Sequence, residues 1–354
     1  MIFKAEPLKA AIAALVAAGG SEAREAELVA DNLVTANLTG HDSHGIGMMP
    51  RYVEALLEGG LFPNRHPELK LDGGALLVLD GQKGYGQSIG LEATGMAIER
   101  AWRYGTCVTA LGNSHHLGRI GHWAEMAVGE GLIALHFVNV QSFARVAPFG
   151  GADRRFGTNP VCIGIPLPGE PPFILDMATS AVAQGKLRVA YNKRTRIPHG
   201  WMIDDDGNPT DDPRWGVVPP LGAMLTFGEH KGYGLAMACE LLGGALTGGG
   251  VTDYDNKTLR RVLNGMLSIL IDPARLGTKD TYARDARSFL AWLRSSRPAP
   301  GVDRVRIAGE PEREHRAQRS REGIPVDDET WNEIRAAAVK LKLPPERIDT
   351  LARG

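Results

Sequence analysis

The sequence predicts an α/β fold, and three observations support this prediction. Apolar extended segments alternate with segments of helical periodicity through the middle of the 354-residue chain, which is typical of a sheet covered by helices. Hydrophobic residues make up 43% of the chain and charged residues 23%, as is usual for a globular protein with a large core. Forty-four glycines without a repeat period indicate many tight turns and close backbone approaches.

The first 40 residues predict two amphipathic helices. The first begins at Pro7 and ends before Gly19, and the single lysine ahead of its apolar stretch favours a helix over a secretory signal. Its inward face consists of Leu8, Ile12, Leu15 and Val16. Ser21 is the expected N-cap of the second helix, which runs through Leu38 and ends at Gly40. Its inward face consists of Leu28, Val29, Leu33 and Ala36.

Strands and helices then follow in order along the chain. Apolar runs predict strands at 76–80, 106–112, 132–140, 162–166, 173–177 and 264–273. Helical periodicity predicts helices at 91–102, around 123–128, within 228–249 (a glycine-rich entry into a buried helix), at 288–296 and at 327–343. Residues 192–220 are expected to form a surface excursion, and the mixed-charge stretch 310–323 a solvated face within a linker rich in Pro and Arg.

Composition excludes several classes of function. A net charge of −1 gives no overall attraction to nucleic acid or to an anionic membrane, and no apolar run is long enough to span a bilayer. The cysteines, Cys107, Cys162 and Cys239, are few, odd in number and far apart. This pattern argues against a disulfide framework or a zinc knuckle and is compatible with a reducing compartment, so we expect a cytoplasmic protein.

Two glycine-rich turns each resemble part of a dinucleotide-binding fingerprint. In GYGQSIG (84–90) the third required glycine position is Ile89, and in HKGYGLA (230–236) the equivalent position is Met237. The chain also lacks a GxxxxGK[ST] phosphate loop. A nucleotide cofactor would therefore bind by a route other than the doubly wound fold.

Half of the ten histidines lie in two glycine-flanked segments, 41–45 and 112–122. They are His41, His44, His115, His116 and His122. A metal site would need three or four converging ligands. The chain has no HExxH motif and its cysteines lie elsewhere, so we predict no metal, and a metal-dependent hydrolase is the weaker alternative.

A redox function requires different side chains. Reduction of a 2-oxo acid needs a proton donor for the carbonyl oxygen, which histidine can supply near neutral pH. It also needs a cation for the substrate carboxylate, preferably an arginine. The loop arginines available are Arg51, Arg119, Arg145 and Arg155.

Ordered motifs across nearly the whole chain carry a family resemblance. These motifs are DSHG (42–45), GNSHHLGRIGHWAE (112–125), VAPFGG (146–151), FGTNP (156–160), LDMATSAVAQGK (175–186) and HKGYGLA (230–236). The chain resembles the malate/L-lactate dehydrogenase family of the non-Rossmann type. Within it, SHGIGMMP, NSHHLGRIG and TFGEHKGYGLA look most like the hydroxycarboxylate dehydrogenase, or hydroxyphenylpyruvate reductase, branch.

The resemblance implies a mixed-sheet α/β fold whose NAD(P)-binding domain is of the non-Rossmann type. Three segments are expected: a helical N-terminal segment over 1–72 that carries the DSHG turn, a cofactor-binding domain over 73–310, and a C-terminal helical segment over 311–354 packed against the first. It also implies a homodimer with the active site near the subunit interface.

The resemblance also implies roles for individual residues. The catalytic residues are His44 as the proton donor, Ser43 as its orienting partner, and His116 beside the nicotinamide. Thr158 is a substrate contact. The implied cofactor contacts are Ser142, Asp176, Met177, Ala178, Lys231 and the late segment that contains Arg306, Gly309 and Glu310.

Two positions depart from the family pattern. Many relatives carry a carboxylate-binding arginine where this chain has Met48, so another cation must take that role. We predict Arg119 first and Arg51 second. Some reductases have an aspartate where this chain has Lys186, and Lys186 would instead supply positive charge near the cofactor.

The expected activity is NAD- or NADP-dependent interconversion of 2-oxo and 2-hydroxy acids. Reduction of a cyclic imine acid such as piperideine-2-carboxylate is an alternative, because it needs the same donor and anchor. A non-catalytic binding module is a further alternative. The sequence does not separate NAD from NADP, since no acidic residue stands where the usual ribose rule applies.

Overall fold

A computed structural model describes residues 1–252 and 261–354. Its α-helices are α1 Ala5–Ala18, α2 Ala23–Leu38, α3 Met49–Leu57, α4 Gly86–Tyr104, α5 Gly121–Gly129, α6 Gln184–Asn192, α7 His230–Cys239, α8 Lys279–Arg294, α9 Glu310–Glu322, α10 Asp328–Lys340 and α11 Pro345–Arg353. Its strands are β1 Ile2–Phe3, β2 Glu68–Asp72, β3 Leu76–Asp80, β4 Thr106–His115, β5 Ile133–Gln141, β6 Val161–Ile165, β7 Phe173–Met177, β8 Met202–Ile203, β9 Pro209–Thr210, β10 Ala223–Met224, β11 Leu263–Ile271 and β12 Ile324–Pro325.

A seven-stranded mixed sheet forms the centre of the molecule. Its strand order is β2-β3-β4-β11-β5-β6-β7, and β3 and β4 are its only parallel pair among the described residues. The predicted α/β class with a mixed sheet of non-Rossmann type is confirmed. Strand β11 comes late in the chain yet lies between β4 and β5, an order that the doubly wound fold does not have.

The N-terminal and C-terminal helices share one hydrophobic core. Residues of α1, α2 and α3 pack there with residues of α10 and α11, and β1 pairs with β12. A second core lies under the sheet beside α4 and α5. The catalytic turn predicted at 42–45 therefore follows α2, within a unit built from both ends of the chain.

Several expectations about local structure need correction. The stretch 310–323 is not only a solvated face, because residues Glu310–Glu322 form helix α9. The excursion at 192–220 contributes β8 and β9 to a small three-stranded sheet with β10. Helix α7 and the π-helical turn Glu240–Ala245 that follows it are not buried all round, since Met237 and Leu241 are exposed. Ser21 does not cap α2, because Glu22 is the N-cap and the Ser21 hydroxyl donates to Glu25 instead.

Candidate active site

The HDSHG segment forms a tight turn between α2 and α3. Two short 3₁₀ segments, Asp42–His44 and Ile46–Met48, make up this turn. The Asn37 side chain fixes it from below, because Nδ2 donates to Asp42 Oδ1 at 2.7 Å and Oδ1 accepts from the Ile46 N–H at 2.9 Å. A Cβ atom on Gly45 would stand 2.1 Å from Asn37 Oδ1. The turn therefore requires glycine at this position.

Ser43 and His44 are paired at the open side of this turn. The Ser43 hydroxyl and His44 Nδ1 share a hydrogen bond of 3.0 Å. The His44 ring stacks on the His116 ring with 5.6 Å between centroids and 13° between planes. Removal from water lowers the pKa of His44 to about 4, and the Asp176 carboxylate offsets part of that shift. His44 is therefore neutral at pH 7 in the absence of a ligand.

A buried chain of hydrogen bonds holds His116. Gln87 Nε2 donates to the Tyr52 hydroxyl oxygen at 2.9 Å, and that hydroxyl lies 2.6 Å from His116 Nδ1. Because Gln87 donates to that oxygen, the Tyr52 hydroxyl is available to donate to Nδ1, an arrangement that favours the neutral His116 tautomer with its hydrogen on Nε2. Burial lowers the pKa of His116 well below its usual value. His116 is therefore a neutral hydrogen-bond donor through Nε2.

Tyr52 and Gln87 are functional candidates that sequence reasoning missed. Both side chains are buried, and burial raises the pKa of the Tyr52 hydroxyl. Tyr52 lies in α3, after the DSHG motif. Its apolar neighbours in the helix suggest an ordinary core residue. The one available signal was a hydroxyl in an otherwise apolar helical stripe, since buried tyrosine hydroxyls usually have a partner.

The glycines of the GYGQSIG turn allow close packing. A Cβ atom on Gly86 would lie 2.2 Å from the carbonyl oxygen of His116, and one on Gly90 would lie 2.5 Å from the Trp123 ring. Helix α4 therefore presses directly against the loop that carries His116. This contact explains glycines that only partly match a dinucleotide fingerprint.

Arg119, the first choice for the carboxylate anchor, has an internal partner. It is only 2% exposed, and its Nη2 donates to Glu125. Its Nε and Nη1 have no partner among the described residues. Its charge lowers the pKa of His44, so it lies on the His44 side of the site.

Arg51, the second choice, lies on the His116 side of the site. Its Nη2 donates to Ser142 Oγ at 2.5 Å, and its charge lowers the pKa values of His115 and His116. The structure thus joins two predicted site residues, one from α3 and one just after β5. Met48, in contrast, packs against the N-terminal core.

The Asp176–Ala178 run and the late segment 306–310 are neighbours. The Ile174 N–H of β7 donates to the Ala308 carbonyl at 3.2 Å, and a Cβ atom on Gly309 would lie 3.3 Å from Ile174. Asp176 Oδ2 accepts from the Gly121 N–H at 2.7 Å and so caps the start of α5. In the late segment, Arg306 pairs with Asp303 and Glu314, and Glu310 pairs with Arg294 and Arg304.

The remaining predicted residues lie on other elements, some of which contact one another. The Thr158 carbonyl accepts from Thr179 N–H at 2.9 Å, and the Phe227 N–H donates to the Thr179 carbonyl. This places the start of α7, with Lys231, beside the 178–180 segment. Lys231 is exposed and forms no ion pair within the described ranges. Lys186 is also exposed, and its neighbour Gly185 faces Ser43, whose Cβ atom is 3.3 Å from where a Gly185 Cβ would be.

Comparisons with known proteins identify the family of the chain. A family model described as malate/L-lactate dehydrogenase matches residues 3–335. The chain belongs to the malate/L-lactate dehydrogenase family. It is 43% identical to hydroxycarboxylate dehydrogenase B of Escherichia coli K12 over 99% of this chain and 97% of that one. The family membership shows an oxidoreductase and leaves the hydrolase alternative without support.

Two further members of the malate/L-lactate dehydrogenase family show its breadth. An Escherichia coli structure, provisionally assigned as a malate/lactate dehydrogenase, superimposes with a TM-score of 0.95 at 43% identity, over 99% of this chain and 98% of that chain. A Δ1-pyrroline-2-carboxylate/Δ1-piperideine-2-carboxylate reductase of Pseudomonas syringae is 32% identical over 87% of this chain and 88% of that one. Across the described ranges, every helix is too short or too polar to cross a lipid bilayer.

Proposed function

We propose that the protein interconverts 2-oxo and 2-hydroxy acids with a nicotinamide cofactor, NAD or NADP. The observation that carries the proposal is the pair of stacked imidazoles, His44 and His116, with 5.6 Å between ring centroids. Each is oriented by its own hydroxyl partner, Ser43 and Tyr52 respectively. Two oriented histidines at one cleft suit a reaction in which a carbonyl oxygen gains or loses a proton.

The two histidines are assigned different roles. His116 presents Nε2–H and polarises the substrate oxygen as a neutral donor, as its hydrogen bond from Tyr52 favours. His44 exchanges the proton. In oxidation of a hydroxy acid, neutral His44 is ready to accept it. In reduction, the negative charge of the bound oxo acid raises the pKa of His44 and so favours the protonated donor.

Several of the predicted site residues are chemically suited to contact a dinucleotide. The Lys231 ammonium lies in the first turn of α7, where the helix dipole also favours an anion, so this end of the helix suits the pyrophosphate. Ser142, the 176–178 run, Lys186 and the 306–310 segment would contact the remainder. When bound, the nicotinamide would supply or accept the hydride, and the protein would contribute binding and orientation.

The substrate carboxylate needs a cation, and we now favour Arg51 over Arg119. Arg119 is buried and already paired with Glu125, so taking a second carboxylate would require it to leave that partner or to use its inner nitrogens. Arg51 lies on the His116 side of the site, since its charge lowers the pKa of His116, and its Nη2 donates to Ser142. We expect Arg51→Met to raise the KM for the oxo acid by about 30-fold or more, since a lost buried charged contact costs about 2–5 kcal/mol. The matched variant Arg119→Met should leave KM nearly unchanged, and the reverse outcome restores Arg119 as the anchor.

The first experiment is a spectrophotometric screen of 2-oxo acids and cyclic imine acids with NADH and with NADPH. If His44 donates the proton, His44→Gln should lower kcat by about 10²–10⁴-fold for the best substrate, with cofactor affinity nearly unchanged. Near-normal turnover in this variant would move proton transfer to His116 or to water. Turnover of cyclic imines alone would support the imine reductase alternative, while cofactor binding without turnover would support a binding module.

A homodimer is also proposed. The outer face of α7 and the π-helical turn after it expose Met237, Leu241 and Leu246 at 42%, 57% and 63%. Such an exposed apolar face suits contact with a second copy of the chain. Leu241→Glu should shift the protein toward monomer in sedimentation velocity experiments, and a monomeric wild-type protein would contradict the proposal.

A further inference from the structure

Helix α9 contacts the underside of the turn that carries His44. Its Arg319 donates from Nη1 to Asp42 Oδ1 at 2.7 Å and from Nη2 to Asp42 Oδ2 at 3.0 Å. Nη1 also donates to the Asn37 carbonyl at 2.5 Å. The Arg319 side chain is 16% exposed, whereas that of Asp42 is 51% exposed. One guanidinium therefore links α9 to both the end of α2 and the start of the turn.

We propose that Arg319 is a positioning residue, which holds His44 in its reactive orientation by fixing Asp42. This inference rests on the proposed role of His44. Asp42 begins the 3₁₀ segment that His44 ends, so the angle of the carboxylate and the direction of the imidazole are set within one turn of backbone. A bidentate guanidinium–carboxylate contact fixes that angle, which a single hydrogen bond does not.

The expected effect is on rate rather than on stability. An exposed ion pair adds little to the free energy of unfolding, and Asn37 still holds Asp42 from α2 when Arg319 is removed. Catalysis is more sensitive, because a displacement of about 1 Å can lower a rate by about 10²-fold. A second contact from α9, between Glu312 and His41 at 3.3 Å, keeps the helix on the turn, so removing Arg319 takes away the bidentate contact to Asp42 and leaves the single hydrogen bond from Asn37.

The titration of His44 responds to its surroundings and so offers a second measurement. The Asp176 carboxylate raises its pKa, and His41 and Arg119 lower it. Removing Arg319 also leaves the Asp42 carboxylate without its charged partner. A change in the pKa of His44 in Arg319→Lys, which keeps the positive charge, therefore reports movement of the turn rather than the loss of a nearby charge.

The test compares Arg319→Met with Arg316→Met in the full-length protein. Arg316 lies one turn earlier on α9, is exposed and has no ion pair among the described residues. We expect Arg319→Met to lower kcat by about 10–100-fold, with the cofactor Kd, measured by quenching of tryptophan emission, within about twofold of wild type. Arg316→Met should match wild type. Arg319→Lys should restore kcat in part, because a lysine keeps the positive charge but cannot make the bidentate contact with the Asp42 carboxylate.

NMR titration of the histidine rings gives a readout that does not depend on turnover. In Arg319→Met the pKa of His44 should rise from about 4 toward 6.5 as the loosened turn admits water. Unchanged kcat together with an unchanged His44 titration overturns the proposal. If the wild-type protein reduces no oxo or imine acid, the proposed reaction fails, and the titration alone then decides whether Arg319 positions the turn.

A double-mutant cycle tests whether Arg319 acts through Asp42. Asp42→Asn should lower kcat by a similar factor, and combining it with Arg319→Met should add little further loss. Independent, multiplicative losses would show that Arg319 acts by another route and would overturn the proposal. If Arg319→Met does not fold, Asp42→Asn decides the matter, because wild-type kcat in that variant overturns the proposal equally.

Discussion

Replacing Tyr52 by phenylalanine tests the assignment of His116 most directly. The substitution removes one oxygen atom and keeps the ring, which packs edge-on against Tyr85 and His115. Its immediate effect is to leave two buried groups without a partner, Gln87 Nε2 and His116 Nδ1. Without the hydrogen bond from Tyr52, the Nε2–H tautomer of His116 is no longer favoured over the Nδ1–H tautomer.

The magnitude follows from these two losses. Each buried polar group without a partner costs about 1–3 kcal/mol, so the free energy of unfolding should fall by about 2–6 kcal/mol. Loss of the fixed tautomer should also lower kcat by about 10–100-fold, which corresponds to about 1.4–2.7 kcal/mol of transition-state stabilisation. The KM for the cofactor should change little, because Tyr52 is buried behind His116.

The assay combines urea unfolding, steady-state kinetics and ¹⁵N NMR of the imidazole nitrogens. Tyr85→Phe is the matched control, since Tyr85 is also buried and packs against Tyr52, whereas it is Tyr52 whose hydroxyl pairs with His116. It should lose stability without losing kcat. Wild-type kcat in Tyr52→Phe, with His116 still protonated on Nε2, would refute the tautomer argument.

Three further predictions concern charge. Lys231→Met should weaken cofactor binding and lessen its dependence on salt, and an unchanged Kd at low salt would return Lys231 to the ordinary surface. Asp176→Asn should lower the pKa of His44 further, because this carboxylate raises it, and NMR titration checks the sign. Burial lowers the pKa of His136 to about 4, so the unfolded chain binds this proton near pH 6.5 and the folded chain does not. The free energy of unfolding should therefore fall by about 3 kcal/mol between pH 6.5 and 4 on account of His136 alone, and His136→Phe should flatten urea-derived stability profiles in that range.

Sequence patterns predicted those parts of the fold whose side chains alternate between core and solvent. The strands at 76–80 and 173–177 agree with the structure at both ends, since each is a short apolar run beside a residue that disfavours strand continuation, Gly81 after the first and Pro172 before the second. Helix α9 has no such pattern, because it has no buried residue and touches the rest of the molecule mainly through charged side chains. Periodicity of apolar residues cannot reveal a helix that is held in this way.

The candidate site shows the same division. The motifs that contain Ser43, His44 and His116 are local and glycine-flanked, so the sequence could single them out, and the family resemblance supplied the roles predicted for them. The Gln87–Tyr52–His116 chain joins residues 35 and 64 positions apart, and no local pattern records such distances. The partner of Arg119 also had to come from the structure, even though Glu125 lies only six residues away, because sequence alone does not tell whether a loop arginine turns inward.

The place of β11 in the sheet has a consequence for synthesis of the chain. Residues 263–271 fill the gap between 106–115 and 133–141, so the middle of the sheet is translated long after its flanks. Until then β4 and β5 each present an unpaired edge, and such edges readily join other chains. A nascent chain that stalls before residue 263 should therefore aggregate, and refolding should be slow because the central pairing spans such a long stretch of sequence.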